Sequence, residues 1–179
     1  MASAEVTPRP SLTVIAAIVV AAGKGLRAGQ PLPKQFAQWR GKPVVRHSVE
    51  ALAAAGVTPI VVAIPEGAET VAQAALADIA GVKLIVGGDT RQESVLLALE
   101  TLALDAPGKV LIHDAARPLL PAAVIARLRT SLDSHRGAIP VLPVVDSLAY
   151  AADAMMGTPA NREALRRVQT PQAFDFATI

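Results

Sequence analysis

The chain has 179 residues, the size of one domain, and hydrophobic residues make up 52% of it, enough to bury a core and to exclude intrinsic disorder. Aromatic residues are 3%, so Ala, Val, Ile and Leu must build that core, and a surface that stacks single-stranded bases is excluded. The formal net charge is +2 with acids and bases interspersed, which is not the footprint of a nucleic-acid binder.

Residues 1–10 carry Pro8 and Pro10 and read as a loose tail, which sets a division into a tail over 1–11 and one domain over 12–179. The uncharged run from Leu12 to Ala22 is too short to cross a membrane as a helix. Its β-branched residues predict a first strand over Thr13–Val20. Pro43 opens a helix to about Ala55 with Val45, Val49 and Leu52 on one face. Pro59–Ile64 reads as a short strand, Gly67–Ala80 as an Ala-rich helix, and Val82–Val86 as the next strand. Thr90–Leu104 is a helix with Val95, Leu99 and Leu102 in phase. Lys109–His113 is a strand, Pro121–Ser134 a helix carrying Val124, Leu128 and Leu132, and Gly137–Leu142 another apolar strand. Residues 144–168 are mixed, and a structureless loop of that length is uncommon in a compact domain. They predict an extended arm or hairpin whose apolar residues pack on a second subunit.

Strands alternating with helices imply an α/β protein with a mostly parallel sheet and helices on both faces. Ligands of such sheets bind beyond the carboxyl ends of the strands. Three polar clusters fall there: Gly23–Arg27, Gly87–Arg91 and His113–Arg117. The absence of cysteine excludes disulfides, thiolate zinc sites and cysteine nucleophiles, and fits a reducing cytoplasm. His47, His113 and His135 show no metal-ligand spacing.

Each cluster has a chemical reading. In Ala21-Ala22-Gly23-Lys24-Gly25-Leu26-Arg27 the glycines permit a tight turn and close approach to a ligand, and successive N–H groups form an anion-binding concavity. Lys24, Arg27 and Lys34 add positive charge, so the loop reads as a polyphosphate site, although Gly-x-Gly after a strand is as often a plain turn. It is not a P-loop, because no Gly-Lys-Ser/Thr closes it, and Ala28 breaks the dinucleotide fingerprint. Gly87-Gly88-Asp89-x-Arg91-x-x-Ser94 permits approach of a flat ligand such as a base, with Ser94 either bonding that base or facing solvent, and Arg91 either at the ligand or paired with an acid. Asp114, just past an apolar strand, is placed to hold Mg²⁺ beside phosphates, with a turn cap as the alternative. Arg117 reads as a second phosphate clamp, and His113 as a packed, hydrogen-bonded residue rather than a base.

Together these pieces resemble the 2-C-methyl-D-erythritol 4-phosphate cytidylyltransferase family of the non-mevalonate isoprenoid pathway. The matching segments are Ala-Ala-Gly-x-Gly-x-Arg (21–27), Pro-Lys-Gln (33–35), Gly-Gly-x-x-Arg-x-x-Ser (87–94), His-Asp-Ala-Ala-Arg-Pro (113–118), Asp-Ser (146–147) and Gln-Thr-Pro-Gln-Ala-Phe (169–174), colinear from about Ile15 to Phe176. The resemblance implies a three-layer nucleotidyltransferase (nucleotide-diphospho-sugar transferase-like) fold with a protruding dimerisation arm. It also implies a homodimer and transfer of CMP from CTP to methylerythritol phosphate with release of pyrophosphate. By the same resemblance Arg27 and Lys34 are catalytic, contacting the CTP phosphates. Ala21, Ala22, Gly23, Gly25, Gly87, Gly88, Asp89 and Ser94 form the nucleotide pocket, with Gly88 and Ser94 reading cytosine. Asp114 sits by the ribose and Mg²⁺. Arg117, Ser147, Arg162 and Thr170 line the sugar-phosphate site, with Arg162 supplied by the partner's arm.

The chain departs from the family at Ser147, where Thr is common, and at Leu148-Ala149-Tyr150, which replaces a more polar, lysine-containing stretch. The family continues beyond the region ending here at Ile179 with another helix-and-strand segment carrying a phosphate-gripping lysine, so the chain reads as a fragment of a longer or fused enzyme. Two other readings stay open: a cytidylyltransferase for a pentitol phosphate such as ribitol 5-phosphate, and a non-catalytic nucleotide-binding module on the same fold.

Overall fold

Strand β1 (Ile15–Val20) is buried at every residue but its last, because both of its faces are covered. The computed structural model describes residues 14–23 and 33–179. The expected tail over 1–11, the start of the first strand at Thr13, and Lys24, Gly25, Leu26, Arg27 and Ala28 lie outside the described residues.

After a 3-10 turn (Lys34–Phe36), the short strands β2 (Gln38–Trp39) and β3 (Lys42–Pro43) form a hairpin through Arg40 and Gly41, both at positive φ. Then follow α1 (Val44–Ala54), β4 (Ile60–Ile64), α2 (Glu69–Leu76), β5 (Val82–Val86), α3 (Arg91–Ala103), β6 (Lys109–Asp114) and α4 (Ala122–Ser131). The remaining strands are β7 (Gly137–Ala138), β8 (Val141–Pro143), β9 (Ala149–Ala152), β10 (Met155–Pro159), β11 (Arg166–Val168) and β12 (Gln172–Asp175).

The central sheet has six strands in the order β5-β4-β1-β6-β12-β7. β5, β4, β1 and β6 run parallel, and β12 is antiparallel to both of its neighbours. Alternation along β1 divides the core. Ile15, Ala17 and Val19 pack with Val45, Val49 and Leu52 of α1, Ala72 and Leu76 of α2, and Ile125 and Leu128 of α4. Ala16 and Ile18 face the other way, with Val61, Val110 and Ile112, against Ala98 and Leu102 of α3. The result is the three-layer α/β arrangement expected from the sequence. Each fully buried Val, Leu or Ile contributes roughly 1.5–3 kcal/mol.

The expected helices and strands form; the helix expected over Pro121–Ser134 spans Ala122–Ser131, and three larger differences stand beside it. The helix expected over Gly67–Ala80 is confined to Glu69–Leu76. Gly67 takes φ of +77°, outside the helical region, and the Ile79 N–H closes an i→i−3 turn on the Leu76 carbonyl that ends the last turn. The strand expected over Gly137–Leu142 breaks into β7 and β8. Pro140 has no N–H to give a ladder, and its carbonyl accepts from the Gln169 N–H at 2.9 Å, so the chain leaves the central sheet there. β12, an antiparallel strand the alternation did not show, inserts between β6 and β7.

The arm expected over 144–168 is a stem and a tip outside the central sheet. β8 pairs with β11, and β9 pairs with β10 across an irregularity between Met156 and Pro159. Its apolar side chains, including Leu142, Val145, Tyr150, Met155 and Met156, are exposed in the single chain.

Candidate active site

Register brings the polar clusters together. Val20 of β1 pairs with Ala63 of β4 and with Asp114 of β6, and Ile64 of β4 pairs with Val86 of β5. All four parallel strands therefore end on one edge, and the loops that follow them meet there. Chain order along the sheet reverses between β1 and β6, which is the position where open α/β sheets leave a crevice for a ligand. A cleft of about 320 Å³ occupies it, lined by Val20–Gly23, Lys34, Gln35, Gly88–Arg91, Ser94 and Asp114–Ala116.

Ala21, Ala22, Gly23, Lys34, Gly88, Asp89, Ser94 and Asp114, all expected site residues, thus share one cleft. Gly87 lies in an adjoining depression of about 380 Å³ with Ala22, Gly88 and Asp89. Arg117 and Thr170 stand behind Asp114, as described below. Ser147 and Arg162 line a separate depression on the arm, of about 270 Å³, where Arg162 Nη1 donates to the Val145 carbonyl at 2.9 Å. The single chain does not bring this pair to the main cleft. Gly25 and Arg27 lie outside the described residues.

Gln35 is not among the expected site residues, yet it organises one wall. Its side chain is 3% exposed, and Nε2 donates to the Ala21 carbonyl and, at 3.1 Å, to the Gly23 carbonyl. This ties the turn that carries Lys34 to the loop after β1. Gln35→Leu keeps the volume but strands the buried Ala21 carbonyl, so we expect a loss of about 1–3 kcal/mol. On a chain of this length that is a fall in Tm of about 2–12 °C by thermal melting. The Pro-Lys-Gln segment marked the place, but nothing local told that its amide reaches back across the cleft.

The second wall is a self-bonded turn. The Gly87 N–H donates to the Ile64 carbonyl at 2.8 Å, and a Cβ on Gly87 would fall against Ala22 Cβ and 2.7 Å from Ser94 Oγ. Close backbone packing, more than ligand approach, requires glycine there. Ser94 is buried, accepts from the Gly88 N–H at 3.1 Å and donates to the Thr90 carbonyl at 2.9 Å, leaving one lone pair for a ligand donor. Thr90 caps α3 by accepting from the Glu93 N–H at 3.1 Å, and Glu93 Oε2 accepts from the Asp89 N–H at 2.9 Å. The Thr-x-x-Glu spacing is a capping-box signal that local reading of 90–93 can find.

Asp114 is the centre of charge. Arg91 Nε donates to its Oδ1 at 3.0 Å, and Arg117 Nε lies 3.6 Å from its Oδ2. Arg117 Nη1 also donates to Gln169 Oε1. Of the two readings of Arg91, pairing with an acid is therefore realised, and at the cleft. Among the described residues no group of three or more His, Asp or Glu side chains is placed to enclose a metal. A single carboxylate fits Mg²⁺ only where phosphate oxygens and water complete the octahedron.

His113 is 1% exposed, as its reading as a packed residue required. Its Nε2 faces the Arg117 carbonyl at 3.1 Å, and its Nδ1 faces Thr170 Oγ1 at 3.1 Å. Desolvation pushes its pKa below the usual histidine value, although the Arg117 carbonyl and Asp114 pull the other way. Above about pH 6.5 the ring is neutral in both folded and unfolded chains. As pH falls below that value the unfolded ring binds a proton that the buried ring does not, so stability falls until the depressed folded value is reached. Melting curves from pH 7.5 to pH 5 are expected to show this decline, and His113→Gln is expected to flatten it. An equal slope in both proteins would assign the decline to other groups.

A family profile described as "IspD: 2-C-methyl-D-erythritol 4-phosphate cytidylyltransferase" matches residues 15–179. The bifunctional enzyme IspD/IspF of Erythrobacter litoralis is 64% identical over 97% of this chain, which covers 45% of that protein. The bifunctional enzyme IspD/IspF of Novosphingobium aromaticivorans is 62% identical over 92% of this chain and is covered to 43%. The chain thus spans less than half the length of these curated relatives. Among solved structures, the 2-C-methyl-D-erythritol 4-phosphate cytidylyltransferase of Thermus thermophilus superposes with a TM-score of 0.72 at 33% identity, over 90% of this chain and 71% of that one. The bifunctional IspDF of Campylobacter jejuni gives 0.77 at 27% identity, over 92% of this chain and 42% of that one.

Proposed function

The chain belongs to the 2-C-methyl-D-erythritol 4-phosphate cytidylyltransferase family, and from that membership we propose that it transfers CMP from CTP to 2-C-methyl-D-erythritol 4-phosphate with release of pyrophosphate. The observation that carries the reading is the single cleft in which the backbone of Ala21–Gly23, Lys34, the Gly88–Arg91 turn and Asp114 converge at the sheet's crevice.

The acceptor's phosphate oxygen attacks the α-phosphorus in line. A new P–O bond forms as the bond to the β-phosphate oxygen breaks, and its electron pair leaves on pyrophosphate. No protein nucleophile is needed, so positioning and charge stabilisation carry the catalysis. Lys34, which lines the cleft, and by the family resemblance Arg27, supply the positive charge that meets the triphosphate as charge develops. Ala21 lines the nucleotide cleft with its N–H spent on the Ala63 carbonyl at 2.8 Å, so Ala22 and Gly23, with Gly25 by the family resemblance, are left to offer N–H groups to phosphate oxygens. Gly87, Gly88, Asp89 and Ser94 hold the nucleoside, with the remaining Ser94 lone pair suited to an exocyclic amine such as that of cytosine. Asp114 holds the ribose side and offers an oxygen to Mg²⁺, which when bound neutralises phosphate charge. Arg117, Thr170, Ser147 and Arg162 form the acceptor's site, the last two reaching it across a homodimer built through the exposed apolar residues of the arm. The compartment proposed is the cytoplasm. Among the described residues no helix is long and apolar enough to cross a membrane.

Pyrophosphate release from CTP and Mg²⁺ tests the reading, with methylerythritol phosphate and ribitol 5-phosphate compared as acceptors. Turnover with the first alone is the expected result. Turnover with the second alone would transfer the assignment to a pentitol phosphate, and CTP binding without turnover would leave a nucleotide-binding module.

A further inference from the structure

His113 has its two ring nitrogens committed, and the commitments have a sense. A carbonyl oxygen only accepts, so the ring carries its proton on Nε2 and donates it to the Arg117 carbonyl at 3.1 Å. Nδ1 of the neutral ring is then an acceptor, and Thr170 Oγ1, at 3.1 Å, donates to it. With its proton spent, Thr170 Oγ1 accepts the Asp114 N–H at 3.2 Å. The chain of bonds closes on itself, because Gln169, next to Thr170, holds the Arg117 guanidinium, and that guanidinium faces the Asp114 carboxylate. The Arg117 N–H further donates to the Asp114 carbonyl at 3.0 Å, so 114–117 is a fixed turn. Two segments far apart in sequence, the end of β6 and the lead into β12, are thereby locked together by one buried ring.

We infer that His113 is a positioning residue for the proposed transfer: through Thr170 Oγ1 and the Arg117 carbonyl it holds the Asp114 carboxylate and the Arg117 guanidinium in place at the cleft without touching substrate. This role rests on the transfer reading. It also gives the Thr170 hydroxyl a task inside the protein, orienting Asp114, before any contact with an acceptor.

The test separates the two ring nitrogens. His113→Gln keeps a donor near the Nε2 position, His113→Asn keeps an acceptor near Nδ1, and His113→Phe keeps ring volume with neither. Thr170→Val keeps shape without the hydroxyl. Pyrophosphate release is measured with CTP and methylerythritol phosphate each varied. His113→Phe is expected to lower kcat/KM for the acceptor about a hundredfold, the scale of a misplacement of about 1 Å at a reacting centre. Gln and Asn are each expected to restore about tenfold. Adding Thr170→Val to His113→Phe is expected to cost less than the product of the two single effects, the remainder being the hydroxyl's own contact with the acceptor, since residues acting through one chain of bonds are not additive. A His113→Phe protein within twofold of wild type, or fully multiplicative effects in the double variant, would overturn the role. Imidazole ¹⁵N shifts of the unmutated protein keep the test independent of folding and of turnover: a protonated Nε2 with a bare Nδ1 supports the chain of bonds, and the opposite tautomer overturns it. Absence of pyrophosphate release from unmutated protein, with the expected tautomer seen, would instead overturn the transfer reading and the positioning role that depends on it.

Discussion

Lys34→Ala is expected to lower kcat for pyrophosphate release by about a hundredfold or more, with a smaller change in the KM for CTP. Lys34 begins the 3-10 turn Lys34–Phe36, closed by the Phe36 N–H on the Pro33 carbonyl at 2.9 Å and the Ala37 N–H on the Lys34 carbonyl at 3.2 Å. The buried Gln35 amide anchors that turn to the loop after β1, so the position of the lysine backbone is set before any ligand arrives. Lys34 lines the cleft together with the Gly88–Arg91 turn. A preorganised cation aimed at charge that grows on the leaving phosphate stabilises the transition state more than the ground state, and removing one such group costs about 2.7–4 kcal/mol. The split matters. An unchanged kcat with a raised KM would make Lys34 a binding residue only. Lys34→Arg keeps the charge and is expected to recover part of the loss.

Asp114→Asn is expected to lower kcat/KM for CTP by about ten- to a hundredfold. The carboxylate faces Arg91 Nε at 3.0 Å and Arg117 Nε at 3.6 Å. Hydrogen bonds to charged groups contribute about 1.5–3 kcal/mol, and the amide removes the charge that holds both guanidinium groups. It also weakens the carboxylate proposed to offer an oxygen to Mg²⁺. Asp114 and its two partners are partly exposed, so the cost appears in nucleotide affinity and turnover more than in Tm. Titration of CTP against variant and wild type, with melting curves in parallel, checks this. Equal nucleotide affinity and turnover in Asp114→Asn would remove Asp114 from the site and leave it as a surface ion pair.

The outlines of the fold were legible because parallel strands covered on both faces must be uncharged apolar runs. Ile15–Val20, Ile60–Ile64 and the apolar centre of Lys109–Asp114 (residues 110–112) announce themselves in that way, and the glycines and aspartates after such runs have only the sheet's carboxyl edge to occupy. That is why Gly23–Arg27, Gly87–Arg91 and His113–Arg117 are legible in the sequence as one region. β12 had no such signature. It reaches the sheet after the excursion of the arm and runs against β6, a pairing that alternation of strands and helices does not encode.

Composition, the order of apolar runs and the colinear motifs, above all His113-Asp114-Ala115-Ala116-Arg117-Pro118, were enough to establish the α/β class and the family. Those features are local, and local chemistry leaves its mark in neighbouring residues. The assignments of individual polar groups are different, because each depends on a partner distant in the chain: Arg91 with Asp114, Thr170 with His113, Gln35 with the Ala21 carbonyl. Register of the strands and the return of β12 beside β6 bring these pairs within bonding distance, and no periodicity within either segment contains that information. For the same reason Ser147 and Arg162, read as part of one acceptor site, stand together on the arm and away from the cleft. In the proposed homodimer their place relative to the cleft would be set by how a second chain packs on the exposed apolar side chains that the arm presents.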